Sequence, residues 1–107
     1  MKKLLIISSV LLLAACGAAL KLSAPAQTDA ERGSAIFPGL TLAELDKGKI
    51  AYEENCAKCH GLKNPTSFTE EKWRKVVPPM AKKAKVDAKT EELILKYVVT
   101  MSGTTNK

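Results

Sequence analysis

The sequence predicts an all-α fold, a compact bundle of about three short helices closed around a stapling group. Three observations carry this. Helix-start signals stand at Thr41, Thr69 and Asp87, followed by apolar residues three and four apart. No stretch alternates apolar and polar residues as a strand would, and no hairpin turn or internal repeat is present. Finally, 107 residues with only five aromatic ones make a single domain whose core is too small to stand unaided. With three cysteines and one histidine, the staple can be one disulfide or one cofactor, and a His-rich metal site is excluded.

The elements follow in order. Thr41-Leu42-Ala43-Glu44 has the form of a capping box, in which hydroxyl and carboxylate each satisfy a backbone N–H. It predicts a helix that runs through Tyr52 toward Cys56. The second helix starts at Thr69, and the charges of Glu70 and Glu71 suit the positive end of a helix dipole. Trp73, Val76 and Val77 form its apolar face, and Pro78-Pro79 is expected to stop it, because proline lacks the N–H and crowds the preceding turn. The third helix opens at Asp87, carries Leu93, Ile94, Tyr97, Val98 and Met101 on one stripe, and ends at Gly103.

Residues 1–15 combine Lys2 and Lys3, an apolar run from Leu4 to Leu13, and Ala14-Ala15, the pattern of a secretory signal peptide. The run is shorter than the ~20 residues of a membrane-spanning helix. Leu13-Ala14-Ala15-Cys16 resembles the lipobox of bacterial lipoproteins. That resemblance implies cleavage before Cys16, lipidation of Cys16 and an anchor on the periplasmic side of the inner or outer membrane of a bacterial cell envelope. The alternative is an ordinary secretory peptide that leaves Cys16 as a thiol. Residues 16–40, rich in Ala, Ser, Gly and Thr and without a sustained apolar period, read as a flexible tether of about 25–30 Å r.m.s. span. The folded domain is expected over residues 41–107.

Cys56-Ala57-Lys58-Cys59-His60 carries the chemistry. It is the C-x-x-C-H pattern of covalent c-type haem attachment. Two cysteines three apart lie on one side of a helical turn, so both sulfurs can bond one edge of a porphyrin, and the next residue can place an imidazole under the iron. Three other readings compete. A redox pair needs a βαβ context that the sequence lacks. A structural zinc site needs a fourth ligand that this region does not offer. A plain disulfide is compatible with an oxidising envelope, but it leaves the adjacent histidine without a role.

Residues 41–102 resemble a small, mono-haem class I c-type cytochrome domain. Gly48 and Tyr52, eight and four residues before Cys56, match the small residue and the aromatic of that family's N-terminal helix, and Tyr97 matches the aromatic of its C-terminal helix. The resemblance implies that these helices cross closely at Gly48. It also implies that Cys56 and Cys59 hold one haem c by thioethers and that His60 is an axial ligand. Two methionines remain for the other axial position, because bis-histidine ligation is impossible with one histidine. Met80 is favoured, as it follows Pro78-Pro79 in an expected non-helical stretch ahead of the last helix. Met101 lies on an apolar stripe and is better explained as core. Met80 follows His60 by only 20 positions, so the loop that usually covers the haem edge is missing. The Pro65 carbonyl is the candidate to orient the His60 ring. Trp73 is expected either to donate its indole N–H to a haem propionate or to pack on the haem face.

The whole chain carries a net charge of +6, and loss of Lys2 and Lys3 with the signal peptide leaves +4. Lys72, Arg74, Lys75, Lys82, Lys83, Lys85 and Lys89 fall in eighteen residues that hold one acid, Asp87. Such a run is most often a solvated face, but beside a haem edge it suits steering toward an acidic redox partner. Secretion argues against nucleic acid as the partner. The expected function is electron transfer by a lipid-anchored cytochrome, not enzyme turnover. The alternative is a haem enzyme or gas-binding sensor with an open or labile sixth site.

Overall fold

The computed structural model describes residues 22–56 and 61–103. The expectations on the signal peptide, Cys16, Cys59 and His60 therefore lie outside the described residues. Among the described residues the fold is all-α, as expected: α1 (Gln27–Gly33), α2 (Leu42–Cys56), a 3-10 turn (Pro65–Ser67), α3 (Glu70–Ala84) and α4 (Ala88–Ser102), with no strand.

The predicted caps are present. Thr41 and Glu44 form the capping box, the Thr41 N–H donating to Glu44 Oε1 at 3.2 Å and the Glu44 N–H to Thr41 Oγ1 at 3.1 Å. Thr69 and Asp87 cap α3 and α4 by accepting from the Lys72 and Thr90 N–H groups. Hydrogen bonding with the Thr90 side chain, and then with its N–H, holds the Asp87 carboxyl below its usual range. On α2, Leu45, Gly48, Tyr52 and Cys56 make one buried stripe, and that stripe meets α4. A Cβ at Gly48 would overlap the Leu93 carbonyl oxygen and stand 2.8 Å from Tyr97 Cβ. The absence of a side chain there is what lets the two backbones cross so closely. A second tie is ionic: Lys96 of α4 reaches Glu44 at 3.0 Å. That contact holds the Glu44 carboxyl below its usual range, and raises the Lys96 ammonium.

Two expectations are corrected. Pro78-Pro79 does not stop the helix: both lie inside α3, which continues to Ala84. The bonds lost are those to the Arg74 and Lys75 carbonyls, four residues back, and all four residues are exposed. Water can take those carbonyls on that side, while Trp73, Val77 and Ala81 stay buried along the other. The helix ends instead at Lys85, whose φ of +59° is the left-handed cap, with the Val86 N–H returning to the Ala81 carbonyl.

The segment expected as tether is packed against the bundle over its described residues, 22–40. Leu22, Pro25, Ala30 and Leu40 are buried, and Ala30 and Leu40 form a small second core with Leu45. Arg32 donates to the Thr100 carbonyl at 3.0 Å. A Cβ at Gly33 would stand 2.5 Å from the Leu40 side chain and 2.7 Å from Thr100 Oγ1, so α1 lies directly on the end of α4. That cover explains why the last turn of α4, Val98 to Ser102, is buried all round.

Candidate functional site

The end of α2, the Gly61–Phe68 loop and the middle of α3 enclose a cleft. Cys56 enters it from the last residue of α2, where the stripe Tyr52–Cys56 turns inward at a four-residue interval. Trp73, Val76 and Met80 form the α3 wall. The cleft holds about 650 Å³, part of it open to solvent. A neighbouring space of about 290 Å³ shares Tyr52, Cys56, Trp73 and Met80 and reaches Ala81, Val86 and Ile94. The inner walls are largely apolar, and Cys56 is buried.

The loop after the motif is fastened by two aromatic side chains. The Tyr52 hydroxyl donates to the Lys63 carbonyl at 2.5 Å and accepts from the Lys63 N–H at 3.1 Å, gripping both polar groups of one residue. The Trp73 indole N–H donates to the Pro65 carbonyl at 2.8 Å. Asn64 Oδ1 adds a local turn by accepting from the Thr66 N–H at 3.0 Å. Trp73, 1% exposed, meets Tyr52 edge-on at 5.9 Å and Phe68 at 4.8 Å between ring centroids. Burial pushes the Tyr52 phenol up to about 12 and raises that of Tyr97 as well, so both stay neutral near pH 7.

The placement of the expected site residues follows from this geometry. Cys56 and Met80 line one cleft from two different helices. Met80 does so from inside α3, not from the expected loop: it is half-buried, one helical turn after Val76. Met101 is buried in the core on the last turn of α4 and lines neither space. The indole N–H of Trp73 is committed to Pro65 rather than turned into the cleft, and its ring packs in the core. One lone pair of the Pro65 carbonyl is thus already used. Among the described residues no group of three or more His, Cys, Asp or Glu side chains gathers. No described helix is long and apolar enough to cross a membrane.

Sequence reading missed three features of the cleft. The Tyr52 hydroxyl bond to Lys63 joins residues eleven apart with no local signature. Lys63 and Lys72 at the mouth were visible only as members of a basic composition. The position of Met80 did have a signal: Val76–Met80 and Val77–Ala81 keep the helical interval straight through the two prolines.

Around the site, part of the basic run is neutralised. Arg74 pairs with Glu70 at 2.8 Å and Lys75 with Glu71 at 3.5 Å. Lys82, Lys83, Lys85 and Lys89 are exposed around the α3–α4 turn. Comparison of the chain with protein-family models, curated proteins and solved structures finds no match.

Proposed function

We propose that this chain is a mono-haem c-type cytochrome that transfers electrons in a bacterial cell envelope, anchored to a membrane by lipid at Cys16. The observation that carries the reading is the first cysteine of a C-x-x-C-H motif buried in an apolar cleft whose opposite wall presents the Met80 thioether. The donor set fits: Cys56 and Cys59 would hold haem c by thioether bonds, with His60 and Met80 as the iron's ligands from the protein. Bound there, haem supplies a one-electron ferric/ferrous couple, and a thioether ligand raises its potential.

The chain's own residues keep water out and limit rearrangement. Tyr52 and Trp73 hold the loop that follows His60 by three hydrogen bonds from two helices. Met80 rides on a packed helix and not on a loop, which favours the same ligation in both oxidation states. The apolar walls from Val76, Val77 and Ile94 disfavour water and hydrophilic reactants at the metal. The lysines of the α3–α4 turn suit docking to an acidic redox partner, with encounter rates that fall as salt rises.

The test is the spectrum of the full chain matured with haem. Acid-acetone should fail to extract the haem, and the mass should include one. A ferric Fe–S charge-transfer band in the far red should vanish in Met80→Ala and survive in Met101→Leu. A high-spin ferrous protein that binds carbon monoxide rapidly would replace electron transfer with gas binding or haem catalysis. A band lost only in Met101→Leu would move the ligand and leave the function standing.

A further inference from the structure

The cleft is not symmetric in charge. Toward α4 it is bounded by Ala81, Val86 and Ile94, all apolar. Toward the loop it is bounded by Lys63 and Lys72. The other polar side chains on its walls are already engaged. The Tyr52 hydroxyl is on the Lys63 backbone, the Trp73 indole is on Pro65, and the Asn55 amide donates to the Ala51 carbonyl at 2.8 Å. Nearby, Arg74 is held by Glu70. Among the described residues, the two ammonium groups are thus the cleft's donors for an anion.

Both lysines are positioned by aromatic side chains. The Lys63 peptide is gripped on its N–H and its C=O by Tyr52, which fixes where its side chain leaves the backbone. The Lys72 ammonium stands over the Phe68 ring, 5.6 Å from its centroid. Phe68 in turn packs edge-on against buried Trp73. A flexible lysine loses side-chain freedom when it binds an anion; here part of that cost is already met by the contacts of the protein alone.

We infer that Lys63 and Lys72 hold the two carboxylates of the tetrapyrrole, so that its anionic edge lies at the loop mouth and its apolar edge runs toward Ala81 and Ile94. Tyr52 and Phe68 are positioning residues for those contacts. The inference rests on the haem reading above and assigns the carboxylate contacts to two lysines, the Trp73 N–H being bonded to the Pro65 carbonyl. It also gives Lys63 and Lys72 a different task from Lys83 and Lys89, which are exposed but line no wall of the cleft.

The experiment compares the haem-loaded full chain with Lys63→Gln and Lys72→Gln, and with Lys83→Gln and Lys89→Gln as variants of equal charge change. Resonance Raman reads the bending modes of the haem carboxylates, and a spectroelectrochemical titration reads the reduction potential. The expected result is a shifted carboxylate mode and a lower potential in Lys63→Gln and Lys72→Gln, because removing a cation beside the carboxylates disfavours the ferrous state. Lys72→Arg restores both, and the Lys83 and Lys89 variants leave the mode unmoved. Unchanged modes in haem-loaded Lys63→Gln and Lys72→Gln overturn the inference while the cytochrome reading stands, as does an equal shift in the control variants. A wild-type chain that takes up no haem overturns both.

Discussion

The Tyr52 hydroxyl serves as donor and acceptor to one peptide residue, a task only the neutral phenol can perform. Ionisation would remove the proton given to the Lys63 carbonyl and place a charge in the core, and burial accordingly raises the group to about 12. The sign is that of a group whose folded value lies above its unfolded one. Its contribution is fully present below the ordinary value of 10 and is lost as pH rises through about 12. Tyr52→Phe keeps the ring contact with Trp73 and removes both bonds. We expect a loss of about 1–3 kcal/mol at neutral pH and a shallower decline of stability above pH ~10. Denaturant titrations at pH 7 and pH 11 check this; equal losses at both would show that the hydroxyl is not the alkaline-sensitive group. None of this was legible from the sequence. Tyr52 was recognisable as a packing aromatic by its interval from Cys56, but its polar partner lies across a loop and is chosen by how that loop folds back.

At the scale of elements, the α2–α4 crossing depends on Gly48. Alanine would favour the helix intrinsically by about 1 kcal/mol, but its methyl would meet the Leu93 carbonyl and Tyr97 Cβ, both held by helix backbone. Separating the helices would also strain the Glu44–Lys96 pair. We expect Gly48→Ala to destabilise by about 1–3 kcal/mol net, read as a lower unfolding midpoint. A neutral or stabilising result would mean that the helices slide apart freely. The crossing was expected only through the resemblance of Gly48, Tyr52 and Tyr97 to the helix-crossing residues of a known family, and the structure places the contact at Gly48. The course of α3 was not read correctly. The local rule that two prolines end a helix was outweighed by burial of Trp73, Val77 and Ala81 on one face, with Pro78 and Pro79 exposed on the other. A stop rule weighs hydrogen bonds one residue at a time, whereas the outcome depends on which face of the helix loses them.

For the whole molecule, α1 changes what the N-terminal segment does. A free tether of 24 residues would let the domain range widely. With Leu22 already buried, only six peptide steps separate it from Cys16, a reach of about 20 Å when fully extended. A domain anchored at Cys16 would therefore work close to the membrane surface. Removal of residues 17–40 would strip Leu22, Ala30 and Leu40 from the core, together with the Arg32 bond to Thr100. At about 1.5–3 kcal/mol for each large apolar side chain buried, a loss of several kcal/mol is expected. Thermal unfolding of the truncated chain reads this directly, and an unchanged midpoint would restore the tether. In the full chain, tryptic cleavage after Arg32 should track global unfolding.

What the sequence determined by itself was local or covalent. It named the three capped helix starts, the all-α class and the C-x-x-C-H pattern. Each depends on residues within about one or two helical turns, where spacing alone sets geometry. What only the tertiary structure decided was long-range. The α1 segment has no large apolar residue from Gln27 to Gly33, so its packing leaves no periodicity to read. It is held because Ala30 and Gly33 are small enough to lie flat against the bundle. The continuation of α3, the commitment of Trp73 to Pro65, the grip of Tyr52 on Lys63 and the two lysines at the cleft mouth were decided the same way. Each is settled by which surfaces meet across the bundle, and that is a property of the packed chain as a whole.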